Sequence, residues 1–197
     1  MNRNILFIIA ISLLSTVAGV AMFRFSTAQP EFISASVSTD SAPHKSTDST
    51  KPVALNFDNI VLNDLETKPR NLSEWKAPIM IVNFWAPWCP PCRREIPALV
   101  DIQKTYQHNM QLIGLSFDTQ QNVTAFNDKY PMNYPLLLVQ KEATQINKYF
   151  GNDSRALPFT AILNEQREIV FQHSGEISKE QLETQIQKLS QKSAVQS

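Results

Sequence analysis

The stretch Val82-Asn83-Phe84-Trp85-Ala86-Pro87-Trp88-Cys89-Pro90-Pro91-Cys92 reads as the end of a strand, a sharp turn and the start of a helix. It closes the run Ile79–Trp85, which is apolar on both faces, the pattern of a strand covered by helices on two sides. Pro90 stands where the first turn of a helix tolerates proline, because the missing N–H would have had no partner within the helix. Cys89 then takes the N-cap, with free backbone N–H groups and the positive end of the helix dipole turned toward it. Such a place lowers a thiol pKa from about 8.5 toward ~3.5–7.5, and the thiolate is the reactive form. Cys92 lies one turn in, within disulfide reach but shielded. Cys89 is suited to attack a partner disulfide and Cys92 to resolve the mixed disulfide, and the pair runs equally in reverse.

Other uses of two cysteines compete with this one. Half of a zinc site needs two further ligands, and His108 and His173 do not stand at metal spacing. A purely structural disulfide between residues three apart closes too small a loop to stabilise much. Two thiolates do suit Cu(I), so a copper-binding or metal-delivery module is the alternative function.

Outward from this stretch, short β-branched and aromatic runs predict strands at 112–117, 136–139, 159–163 and 169–171. Helical spacing predicts helices over 90–109, 120–130 and 178–191, the last opened by a Ser178–Gln181 capping box and an Ile177–Leu182 staple. Segment 57–62, followed by Arg70-Asn71-Leu72, reads as an extra hairpin at the sheet edge. Between Pro131 and Ala156 there is room for one added short helix at 145–150. Residues 53–197 thus form one α/β domain with a single core.

Ahead of it, residues 5–23 carry no charge and would span roughly 28 Å as a helix, close to a bilayer's hydrocarbon thickness. Residues 1–25 are therefore a membrane anchor or a signal segment, the second reading resting on the small residues Ser26-Thr27-Ala28. Arg3 and Arg24 flank the run on opposite sides and leave its orientation nearly balanced. Residues 26–52, rich in Ser and Thr, bury too little to order themselves and read as a tether spanning roughly 30 Å. In the whole 197-residue chain, 18 Lys+Arg balance 18 Asp+Glu, which excludes the basic stripe of a nucleic-acid binder. Only two cysteines exclude a framework of several disulfides.

The segment 85–97, Trp-Ala-Pro-Trp-Cys-Pro-Pro-Cys-Arg-Arg-Glu-Ile-Pro, resembles the active-site segment of thioredoxin-fold proteins, most closely the membrane-anchored TlpA/ResA group. The resemblance covers about residues 53–190. It implies a thioredoxin-like fold, a central mixed sheet flanked by helices, with an N-terminal hairpin extension and an insert before a cis-proline. It further implies thiol-disulfide oxidoreductase activity, with Cys89, Cys92 and Glu95 as the catalytic set and no cofactor beyond the Cys89–Cys92 disulfide.

Glu95 matches a Glu that the group carries three residues after its second cysteine. Helical spacing puts it on the Cys92 face, where a buried carboxyl would serve as base for that thiol; a solvated first-turn Glu is the other reading. Asn83 stands where thioredoxin has a buried Asp, and Asn cannot titrate. Pro97 resembles the superfamily's helix-kinking proline. Leu157-Pro158 resembles the cis-proline segment, so Trp88, Pro90, Pro91, Leu157 and Pro158 make up the expected substrate-contact surface, with the Leu157 backbone pairing to an extended peptide.

The sequence departs from the family at Ala156 and at 164–167, where glycines are usual. The implied partners are a disulfide-bearing exported protein, the membrane through residues 5–23 and a DsbD-type membrane electron donor. The implied location is the cytoplasmic membrane with the domain on its outer side. An isomerase would need a dimerisation segment that 26–52 cannot supply, so a monomer is expected.

Overall fold

Strand β3, Ile79–Trp85, is buried along its whole length, and Asn83 is its one polar side chain. It lies inside a seven-stranded sheet of order β2-β1-β5-β4-β3-β6-β7, built from β1 Val61–Asp64, β2 Pro69–Asn71, β4 Met110–Ser116, β5 Leu136–Leu138, β6 Phe159–Leu163 and β7 Ile169–Ser174. The pairs β3–β4 and β4–β5 are parallel and all others antiparallel, so the sheet is mixed. In this computed structural model residues 55–196 are described, with side chains to 191, and all belong to the unit Ser49–Ser197. The span at 5–23 and the tether at 26–52 lie outside the described residues. Among those described, no helix is long and apolar enough to cross a membrane.

Alternation along β3 splits the core into two layers. Ile79, Ile81 and Trp85 face α1 (Pro90–Tyr106), α2 (Gln120–Lys129) and α4 (Lys179–Gln196), whose Leu99, Val123 and Leu182 meet them. Met80, Val82 and Phe84 face the other way, toward α3 (Ala143–Phe150) and the turns at Phe57–Asn59 and Leu72–Glu74. Phe84 holds that layer together, its ring 5.4–5.6 Å from those of Phe117, Phe150 and Phe159. Such pairs add about 0.5–1.5 kcal/mol each beyond their burial.

The extra edge hairpin is present, but its first residues differ from expectation. Phe57–Asn59 is a 3-10 turn closed by a reciprocal Asn56–Asn59 capping box, and the strand begins only at Val61. β7 runs three residues past the apolar run, because polar side chains are tolerated on an outer strand whose backbone still pairs with β6: Ser174 is exposed, and the Gln172 amide donates to Phe150 O at 2.7 Å. The short helix α3 begins at Ala143, two residues before its expected start.

Gly114 in β4 is required by close packing. A Cβ there would sit 2.8 Å from Leu136 Cδ2, 3.1 Å from Trp85 Nε1 and 3.3 Å from Tyr134 Cε2. Gly114→Ala is therefore expected to destabilise the fold by about 1–3 kcal/mol, read as a lower urea midpoint with unchanged slope. An unshifted midpoint would mean that the Trp85 wall yields freely.

Candidate active site

The two cysteines sit where β3 hands over to α1. Cys89 is the helix N-cap, its N–H bonded to Ala86 O at 3.1 Å, and a disulfide joins it to Cys92. Cys89 retains 3% of its surface and Cys92 none, so an incoming thiolate meets Cys89 first. The prolines at 90 and 91 strip the first helical turn of two N–H donors. The first amide left is that of Cys92, and it donates to Cys89 Sγ at 3.3 Å. Stabilisation of a Cys89 thiolate thus rests on one backbone donor and the helix dipole. Pro97 lies within α1, which continues through it to Tyr106.

β6 brings the second wall. Phe159 pairs with Phe84, which sets Leu157–Pro158 beside the strand end that carries the cysteines, and the Leu157–Pro158 peptide bond is cis. The insert delivers this segment through Asn152, a residue that the sequence reading passed over. Asn152 is buried; its Oδ1 accepts the Ala156 N–H at 2.9 Å, and its amide donates to Ala156 O at 3.0 Å and Asn147 Oδ1 at 2.7 Å. Gly151 directly before it ends α3 at φ 74, so a Gly-Asn pair after an amphipathic run was the available clue.

Of the two places where glycine was expected, Ala156 does not take left-handed backbone and the 164–167 turn does, at Arg167. Left-handed backbone falls on Arg155 (φ 54) and Arg167 (φ 63). Arg167 is anchored there by donating to Ala77 O and Trp75 O at 2.8 and 3.1 Å.

Behind Cys92 lies Glu95, buried at 2% exposure rather than solvated. Asn83 Nδ2 donates to Glu95 Oε1 at 2.7 Å and to Thr160 Oγ1 at 3.2 Å, and the Ile177 N–H donates to Glu95 Oε2 at 3.0 Å. Burial pushes this carboxyl up from 4.5 to about 7, with the charge of Glu176 acting the same way, against the two hydrogen bonds that favour the ion. Arg94 holds Glu176 at 2.7 Å on the surface. Burial, and then the charge of Glu95, raise the phenol of Tyr134 well above its ordinary value. Trp85 is core at 1% exposure, whereas Trp88 stands out at 63% beside Cys89. Among the described residues, no group of three or more His, Cys, Asp or Glu side chains is gathered to hold a metal ion.

Known proteins share this arrangement. Residues 53–172 match the AhpC/TSA family. The chain is 32% identical over 129 residues to the thioredoxin-like protein YneN of Bacillus subtilis, covering 64% of this chain and 73% of that one. It is also 32% identical over 127 residues to the thiol-disulfide oxidoreductase ResA of Halalkalibacterium halodurans, covering 64% and 70%. The crystal structure of a thioredoxin-related protein from Neisseria meningitidis serogroup B superposes with a TM-score of 0.61 at 28% identity, over 66% of this chain and 98% of that one. With its seven-stranded mixed sheet and helix-capping CxxC disulfide, and with the family match over residues 53–172, the chain belongs to the AhpC/TSA family as a thioredoxin-like thiol-disulfide oxidoreductase of the ResA type.

Proposed function

We propose that this oxidoreductase is a disulfide reductase of exported proteins, held to the membrane by residues 5–23 and working on its outer side through the tether at 26–52. Cys89 thiolate attacks one sulfur of a substrate disulfide, forming a Cys89–substrate disulfide and releasing the other substrate thiolate. Cys92 passes its proton to the Glu95 carboxylate and attacks Cys89 Sγ. The second substrate thiolate leaves and takes up a proton, so two electrons have moved from the dithiol to the substrate. A DsbD-type membrane donor would restore the dithiol. Trp88, Pro90, Pro91 and the Leu157–Pro158 backbone would form the surface on which the substrate chain lies.

The observation that carries the direction is the proline pair. A strong oxidant keeps its reduced form stable by stabilising the thiolate. Here two backbone donors are missing, and no charged or hydrogen-bonding side chain stands between the cysteines. The dithiol is correspondingly less stable and more willing to give up electrons. Equilibration with a glutathione buffer should place the potential below about −200 mV; a value close to −120 mV, that of DsbA, would reject the reductase reading.

A further inference from the structure

Between α1 and α2 runs a trough of about 630 Å³, reaching from Pro90 to Val100 on one wall and bounded by Phe126, Lys129 and Tyr130 on the other. A second hollow of about 440 Å³ shares Arg93, Phe126, Lys129 and Tyr130 with it and opens against Pro87 and Trp88, so the path reaches Trp88 and Pro90, the residues on either side of Cys89. The exposed large hydrophobic side chains among the described residues include two aromatics, Trp88 at 63% and Tyr130 at 41%, and both line this path.

Its charge is one-sided. Arg93 lies over the Phe126 ring at 5.8 Å and Lys129 over Tyr130 at 5.4 Å, and among the described residues neither has a carboxylate partner. Arg94 is already paired with Glu176. The one acid, Asp118, sits at the mouth and accepts from Thr119 N–H and Asn122 Nδ2. A cation stacked on a ring keeps its N–H edge free for an incoming carboxylate and loses little freedom on meeting it. The ten helical rises from Pro90 to Val100 measure about 15 Å, the length of roughly four or five extended residues.

We propose that this trough seats an extended stretch of the substrate protein next to the cysteine that Cys89 engages, a stretch carrying an aromatic side chain flanked by carboxylates. The proposal rests on the disulfide-exchange reading above and adds the chemistry of the partner. A concave channel continuous with the redox site fits a chain; a bilayer surface does not fill a channel.

The full-length chain is tested on three synthetic peptide disulfides of equal length, flanked by Asp-Phe-Glu, Lys-Phe-Lys or Ser-Gly-Ser, with dithiothreitol as reductant. The acidic aromatic peptide is expected to have at least about ten times the kcat/KM of the Ser-Gly-Ser peptide. The preference should shrink to within about twofold in 1 M salt or with Lys129→Glu. Uncharged 2-hydroxyethyl disulfide, too short to reach α2, reports exchange alone. If it is not reduced, the exchange reading falls; if it is reduced but the peptides react equally, only the trough proposal falls.

Hydrogen exchange on the acidic peptide trapped by Cys92→Ser should show protection at 126–131, and its absence overturns the proposal. So does protection that grows with protein concentration in the free chain, which marks a second copy, or protection that requires phosphatidylserine vesicles, which marks a lipid surface.

Discussion

Cys89→Ser is expected to reduce disulfide turnover to background, a loss of roughly 10³-fold or more, while Cys92→Ser retains the first half of the reaction and accumulates a mixed disulfide. The two sulfurs differ in access and in support. Cys89 keeps the small exposed area of the pair, takes the N-cap and accepts the Cys92 N–H, all of which favour a thiolate at that position. A serine hydroxyl there ionises too weakly to attack. Cys92 is wholly enclosed and reaches only Cys89 Sγ, so it acts once that sulfur carries the substrate. Intact mass spectrometry after mixing Cys92→Ser with a peptide disulfide should find the adduct on Cys89. An adduct-free protein that still turns over would show that the roles of the two residues have been assigned wrongly.

The catalytic turn was legible because local rules converge on it. A two-faced apolar strand, a proline at the first helical position and a cysteine just before it each specify the same break from strand to helix, and the structure has that break at Cys89. Legibility fails where a residue's state depends on distant chain. Glu95 sits in the second turn of α1, where helical spacing alone leaves a buried and a solvated acid equally open; its burial comes from β3 and from the Ile177 segment, which is 82 residues away along the chain. Asn152 likewise reads as a loop residue until the returning backbone of Ala156 meets it. Arg155 and Arg167 take left-handed backbone that composition assigns to glycine; at Arg167, long-range bonds to Trp75 and Ala77 offset the cost. The start of β1 was blurred for a local reason, since the Asn56–Asn59 box turns an apolar run into a 3-10 turn.

Glu95→Gln should separate the two chemical steps and, independently, remove part of the pH dependence of stability. In the folded chain the carboxyl titrates at about 7 against an ordinary 4.5, so the fold binds this proton more tightly than the unfolded chain does. The favourable contribution is complete below about pH 4.5 and is lost as pH rises through 7, an effect of about 3 kcal/mol at most. In the oxidised protein, whose cysteines do not titrate, the wild type should lose roughly 5–10 °C of melting temperature between pH 5 and pH 8 relative to the variant. At pH 5 the two should lie close together, because Gln can still accept the Ile177 N–H, and a reoriented Asn83 amide can meet its NH2.

In kinetics, deprotonated Glu95 takes the Cys92 proton, so the resolving step of the wild type should accelerate as pH passes through 7. The variant should lack that rise and resolve about 10²-fold more slowly at pH 8, while mixed-disulfide formation at Cys89 changes by no more than a few-fold. Stopped-flow measurement of both steps decides the matter. Equal slowing of formation and resolution would reduce Glu95 to a structural tie between α1 and the Ile177 segment, and a melting temperature with the same pH slope in both proteins would mean that the buried carboxyl is ionised throughout.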